Sequence, residues 1–141
     1  MTVGEKYAAL AVALRHHRNT RGEWMDFRHS SYLLALYMHA DEMPKIVVEK
    51  CVQSGISELL IILAHIEAAR GLRIIYMLPV YEIRDRFVSN RISRLHSTVS
   101  HQRNLVAEAK GAHRKSFMDG AIGFVGSMGT PTPRLPILLR I

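Results

Sequence analysis

The stretch from Val47 to Ile61, VVEKCVQSGISELLI, combines the residue types that bind a phosphate group. A β-branched run leads into a loop that holds Lys50, Gly55 and Ser57, and an apolar helical run follows. Amide groups at a helix N-terminus attract anions, and Gly55 lets the backbone approach a phosphate because it has no Cβ. The Lys50 ammonium can reach the same anion, and the Ser57 hydroxyl can bind Mg²⁺. The stretch therefore predicts an anion site.

The position of the lysine departs from the standard phosphate-binding loop, GxxxxGK[ST], where lysine directly precedes the serine or threonine. Ile56 stands at that place here, and Lys50 opens the loop instead. On spacing alone, the stretch also fits an ordinary strand–turn–helix. In that interpretation the Lys50 side chain extends into solvent and Ser57 only caps the helix.

The elements that must position this loop follow from the apolar patterning, which predicts an α/β fold. Helices are predicted at 5–18, 32–40, 57–70 and 81–95, and strands at 45–49, 72–78 and 120–125. Because a strand, a helix and a strand succeed one another from residue 45 to 78, a parallel crossover is expected there. The loop would then join the first strand to the helix at 57–70.

Composition places the chain among ordinary globular proteins. Its 141 residues fit one domain, with 48% apolar and 22% charged residues. The net charge of +7 is compatible with a nucleic-acid partner and equally with a solvated basic surface. Cys51 is the only cysteine, which fits a reducing compartment. The apolar runs are too short to span a membrane, and residues 7–14 fit an amphipathic helix better than a signal peptide.

Three blocks, in the same order along the chain, resemble the N-terminal ATPase segment of the lambda-type terminase large subunit, the DNA-packaging motor of tailed phages. The first block, FRHSSYLLALYMHADEMPKIVVEKCVQSGISELLI, resembles the segment that ends in a deviant Walker A, K-x-x-Q-x-G-x-[ST]-E, whose lysine comes first. The second, GLRIIYMLPVYEIRDRFVSNRISRL, resembles the next strand and its helix. The third, GAIGFVGS, resembles the strand and turn before Walker B. The resemblance spans about residues 24–128.

This resemblance implies a partial P-loop NTPase (RecA-like) core, with a parallel sheet flanked by helices. Residues 1–23 would form a helix and linker, 24–128 the ATPase part, and 129–141 a divergent Pro-rich tail. The ligands would be ATP and Mg²⁺, with Mg²⁺ on Ser57. The nucleotide-binding residues would be Lys50, Gln53, Ser54, Gly55, Ile56, Ser57 and Glu58. Double-stranded DNA, the terminase small subunit and the portal would be partners, in the cytoplasm of the phage host.

The acidic residues needed for hydrolysis have no counterpart here. The family places a carboxylate pair after a hydrophobic strand to organise Mg²⁺ and polarise water. The last acidic residue in this sequence is Asp119. We therefore expect a truncated or frameshifted N-terminal piece that binds ATP weakly and hydrolyses it negligibly. Two alternatives remain open: a basic nucleic-acid-binding module without nucleotide chemistry, and a remnant that folds poorly.

Two further groups of residues have both a functional and a structural interpretation. Aromatic side chains ahead of the loop can stack on adenine or belong to the core: Trp24, Phe27 and Tyr32. Arginines on the helix at 81–95 can contact DNA or a neighbouring subunit, or remain solvated: Arg84, Arg91 and Arg94. The histidines show no zinc-ligand spacing, and no paired histidine marks Cys51 as a nucleophile.

Overall fold

The computed structural model describes residues 8–19, 21–43, 45–49, 54–99, 114–116, 120–127 and 137–140. The chain divides into two compact units, Met1–Ile66 and Glu67–Ile141. No helix among the described residues is long and apolar enough to cross a membrane.

The first unit is helical in its described part. Its elements are α1 at Ala8–His16, a 3₁₀ turn at Ser31–Leu33 that leads into α2 at Leu34–His39, a 3₁₀ turn at Ala40–Glu42, and the greater part of α3 at Ile56–Ala69. The helices predicted at 5–18, 32–40 and 57–70 are thus confirmed within the described residues, and the first ends at His16. Helix α3 is apolar on nearly every side and is buried along most of its length, as its composition predicts.

The strand predicted at 45–49 is wrong. These residues pair with no strand in the described part of the chain, and the Val47 side chain is 84% exposed. A β-branched run favours a strand because such side chains pack well on a pleated sheet, and no neighbouring strand supplies that surface here. The parallel crossover expected between this segment and the strand after α3 is therefore wrong as well.

The second unit contains one mixed sheet within its described residues. Its strands are β1 at Arg73–Val80, β2 at Arg114–Ser116, β3 at Ala121–Ser127 and β4 at Ile137–Arg140, in the order β2-β3-β1-β4. Strands β1 and β3 pair in parallel, which confirms the strands predicted at 72–78 and 120–125 and their direction. The outer strands run antiparallel to their neighbours, so the parallel part is a two-stranded core rather than a fully parallel sheet. This unit is α/β.

The core of the second unit is built on alternate residues of the parallel strands. Tyr76 and Phe124 are register partners, and both are buried. Their rings lie 5.7 Å apart between centroids, and Phe87 stacks on Tyr76 at 5.0 Å. Met77 and Val125, one residue further along each strand, are register partners on the opposite face and are each 38% exposed. The sheet thus buries one face more completely than the other.

The helix that covers this core begins directly after β1. It comprises α4 at Tyr81–Phe87, a π-helical segment at Val88–Ser93 and α5 at Arg94–Thr98, which confirms the helix predicted at 81–95. The apolar spacing of five residues between Phe87 and Ile92 is too wide for an α-helical face. The i→i+5 bonding of a π-helix accommodates that spacing, and Ile92 is buried.

Candidate functional site

The predicted phosphate loop contains a turn that only glycine adopts readily. Gly55 has a φ of +83°, the left-handed region, and it stands immediately before α3. Its carbonyl oxygen accepts hydrogen bonds from the amides of Glu58 at 3.1 Å and Leu59 at 3.4 Å, which starts the helix. A Cβ at this position would lie 2.8 Å from Leu33 Cδ1. Backbone conformation and local packing therefore both favour glycine here, independently of any bound phosphate.

The other predicted loop residues divide between the interior and the surface. Ser54 and Ile56 are buried, with 8% and 5% exposure, whereas Ser57 is half-buried. The Ser54 Oγ is buried and has no hydrogen-bond partner among the described residues. The Ser57 hydroxyl is therefore the more accessible of the two serines to a ligand. Lys50 and Gln53, the remaining predicted nucleotide-binding residues, lie outside the described residues.

Glu58 makes a long-range contact that has no local signature in the sequence. Its Oε2 accepts a hydrogen bond from His17 Nε2 at 2.7 Å, and the pair forms a salt bridge if the imidazole is protonated. The His17 side chain is 1% exposed and that of Glu58 is 13% exposed. The two residues are 41 positions apart, and no local pattern relates the end of one helix to the first turn of another. The spacing of the histidines along the sequence therefore gives no indication of this pair.

Tyr37 brings a third buried polar group to the same neighbourhood. Burial, and secondly the charge of Glu58, raise the pKa of the Tyr37 hydroxyl well above its usual value, so it stays protonated at neutral pH. The hydroxyl finds no hydrogen-bond partner within the described ranges. Edge-on packing of Phe27 against the Tyr37 ring, with centroids 4.9 Å apart, holds the ring in place.

The three candidate adenine-stacking aromatics have different environments. Phe27 is buried against Tyr37, as a core residue would be. Trp24 is 52% exposed and lies under the Arg18 guanidinium, 4.2 Å from the ring centroid. Tyr32 is 64% exposed, and its hydroxyl donates to the Ser54 carbonyl at 3.4 Å. Tyr32 is therefore the aromatic residue that the described fold brings to the loop, and its role in base stacking stays a prediction.

The candidate arginines differ in how much of their charge is available. The Arg84 guanidinium pairs with Asp85 at 2.8 Å and lies over the Tyr81 ring at 4.7 Å. Arg91 is half-buried, with its guanidinium 6.0 Å from the centroid of Phe87. Arg94 is exposed. Arg94 is therefore the best placed of the three to meet an external phosphate.

Histidine chemistry elsewhere in the described chain is limited. Burial, with the charge of Lys115 as the second cause, lowers the pKa of His96 to about 4, so its imidazole is neutral at physiological pH. Within the described ranges, no three His, Cys, Asp or Glu side chains come together to hold a metal ion. Cys51 and His101 lie outside those ranges.

The described fold thus places one glycine turn, one accessible serine and one exposed tyrosine at the start of α3, backed by a buried histidine–glutamate pair. These groups suit a polar or anionic ligand held mainly by backbone amides. Protein families, curated proteins and solved structures yield no match to this chain.

Proposed function

We propose that this chain is the N-terminal ATP-binding part of a phage terminase large subunit, the ATP-driven motor that packages double-stranded DNA into proheads. One observation carries the proposal: Gly55, with a φ of +83°, lies directly before the 14-residue helix α3. That backbone turn suits a phosphate cradle, and it occurs at the glycine position of the K-x-x-Q-x-G-x-[ST]-E resemblance.

Two side chains and the amides at the start of α3 have defined parts in the proposed site. The Lys50 ammonium neutralises the β- and γ-phosphates as a point charge, and the amides at the start of α3 bind phosphate oxygens. The Ser57 hydroxyl binds the Mg²⁺ that accompanies ATP. The Glu58 carboxylate is committed to His17 and does not serve as the base. No carboxylate follows Asp119 in this sequence, so we expect nucleotide binding without appreciable hydrolysis.

Replacement of Lys50 or Ser57 by alanine is expected to weaken Mg·ATP binding by about 10- to 100-fold, because each removes one interaction with a charged ligand. Isothermal titration of the full chain measures this change. Lys45→Ala is the matched control, since Lys45 is an exposed lysine shortly before the loop and should leave the affinity unchanged. Chelation of Mg²⁺ should abolish the Ser57→Ala effect and preserve that of Lys50→Ala. Equal affinity in all three variants would contradict the proposed nucleotide site. Turnover that Lys50→Ala eliminates would contradict only the expectation of negligible hydrolysis.

A second candidate function, binding of duplex nucleic acid, is favoured by one surface of the second unit. Along the helix after β1, four exposed residues can contact phosphates: Arg86, Ser89, Asn90 and Arg94. Arginine, serine and asparagine are common phosphate ligands in protein–DNA complexes. Combined Arg86→Ala and Arg94→Ala substitution should then weaken duplex binding and reduce its salt dependence by about two charges. Fluorescence anisotropy at several salt concentrations tests this, and a Lys50→Ala chain should retain wild-type DNA affinity.

A further inference from the structure

We infer that His17 is a positioning residue for the first turn of α3, where the proposed phosphate site lies, and acts through Glu58. The expected effect on nucleotide binding rests on the proposed function, whereas the restraint on α3 rests on the geometry of the first unit. His17 follows α1 directly and is completely buried, while Glu58 lies in the first turn of α3. Their 2.7 Å contact therefore ties the end of one helix to the start of another.

Two hydrogen bonds restrain Glu58 in the first turn of α3. Its amide donates to the carbonyl of Gly55, and its carboxylate accepts from His17. A rotation of the first turn of α3 that re-aimed the loop amides would have to break the side-chain contact. Breaking it would leave a buried imidazole without its carboxylate, which is unfavourable because buried polar groups need partners.

Loss of that contact would leave both ring nitrogens of His17 without a partner among the described residues. The other ring nitrogen of His17, Nδ1, is buried and has no hydrogen-bond partner among the described residues. The Tyr37 hydroxyl, close enough for the Glu58 charge to affect it, is also buried. The 2.7 Å contact with a completely buried ring thus restrains the position of the Glu58 carboxylate.

The same burial excludes a catalytic role for His17. A side chain that is 1% exposed does not touch a substrate, so the pair does not act as a general acid–base dyad on a bound ligand. Its effect on nucleotide binding comes through preorganisation of the loop, which lowers the ordering cost of binding.

The test compares His17→Ala with His17→Gln in the full chain. Alanine removes the donor, whereas the glutamine side-chain amide can still donate to Glu58. In His17→Ala we expect the amides of Glu58 and Leu59 to exchange with solvent about tenfold faster by NMR without nucleotide, and Mg·ATP affinity to fall about tenfold. His17→Gln should restore most of both. His65→Gln is the control: His65 is a buried histidine further along the same helix, with Nδ1 2.8 Å from the Ile61 carbonyl.

The two measurements separate this inference from the proposed function. Wild-type exchange at Glu58 and Leu59 in a folded His17→Ala chain overturns the positioning role, whatever the nucleotide result. The positioning role is also overturned if amide exchange is faster along all of α3 and is accelerated equally in His17→Gln and His65→Gln. The effect is then a general loss of stability. Local acceleration with rescue by glutamine supports it. If His17→Ala shows that local response and the wild-type chain nevertheless binds no ATP, the proposed function fails while the positioning role stands.

Discussion

A chain with alanine at Gly120 is expected to lose a large part of its folding stability. A Cβ at this position would lie 2.1 Å from the Ala68 carbonyl oxygen and 2.6 Å from that of Leu72. Both obstacles are backbone atoms, which do not swing aside as a side-chain terminus does. A hydrogen bond also joins the two segments, since the Ala121 amide donates to the Leu72 carbonyl at 3.2 Å. The new methyl group therefore forces apart the end of α3 and the start of β3.

The expected loss is about 3 kcal/mol or more, the upper end for overpacking, and a large part of a typical 5–15 kcal/mol total. Urea denaturation followed by circular dichroism measures it. Gly123→Ala is the matched control on the same strand, since the nearest atom to its Cβ would be 3.9 Å away. That variant should unfold within about 1 kcal/mol of the wild type. Similar midpoints for the two variants would show that the Gly120 contact is not tight.

Close packing also constrains a second glycine of GAIGFVGS, the third block that resembles a terminase segment. Gly126 is constrained in the same way as Gly120, since its Cβ would lie 2.8 Å from the Val80 carbonyl carbon and 2.9 Å from the Tyr81 nitrogen. Two of the glycines in this block thus have a packing reason within the second unit. Packing therefore explains both glycines without a nucleotide, and this block adds no support to the proposed nucleotide site.

Truncation of Phe124 to alanine is the second substitution with a large expected effect. The ring is 3% exposed and packs against Tyr76 and Phe87, with centroid separations of 5.7 and 6.2 Å. Its removal leaves a cavity between a strand and the helix that covers it. Such truncations cost about 3–5 kcal/mol, from lost burial and lost contacts around the cavity.

Val125→Ala provides the comparison for Phe124→Ala. Val125 is the next residue on β3, has the opposite orientation and is 38% exposed, so we expect a loss below about 1 kcal/mol. The midpoints of urea denaturation, at constant m-value, compare the stability of the two variants. The near-ultraviolet circular dichroism of Phe124→Ala should also lose intensity as the Tyr76 ring gains freedom. A Phe124→Ala chain as stable as Val125→Ala would mean that the three rings do not form the core of this unit.

Local sequence by itself determined the helices and the two parallel strands of this protein. The run from Ile56 to Ala69 is long and apolar enough to form a buried helix wherever it packs. The apolar run of β1 predicts a buried strand in the same way, and the alternation along β3 predicts a strand. These elements were predictable because their signals lie within a few consecutive residues.

The pairing of distant residues was decided only by the tertiary structure. Residues 45–49 have the composition of a strand, yet no described strand lies beside them. Strand β4 pairs with β1 from within the Pro-rich tail at 129–141. The contact between His17 and Glu58 has no local signature, because it depends on where two helices end and begin in space. Strand partners and buried polar contacts are properties of packing, and their energies depend on neighbours that are remote along the chain.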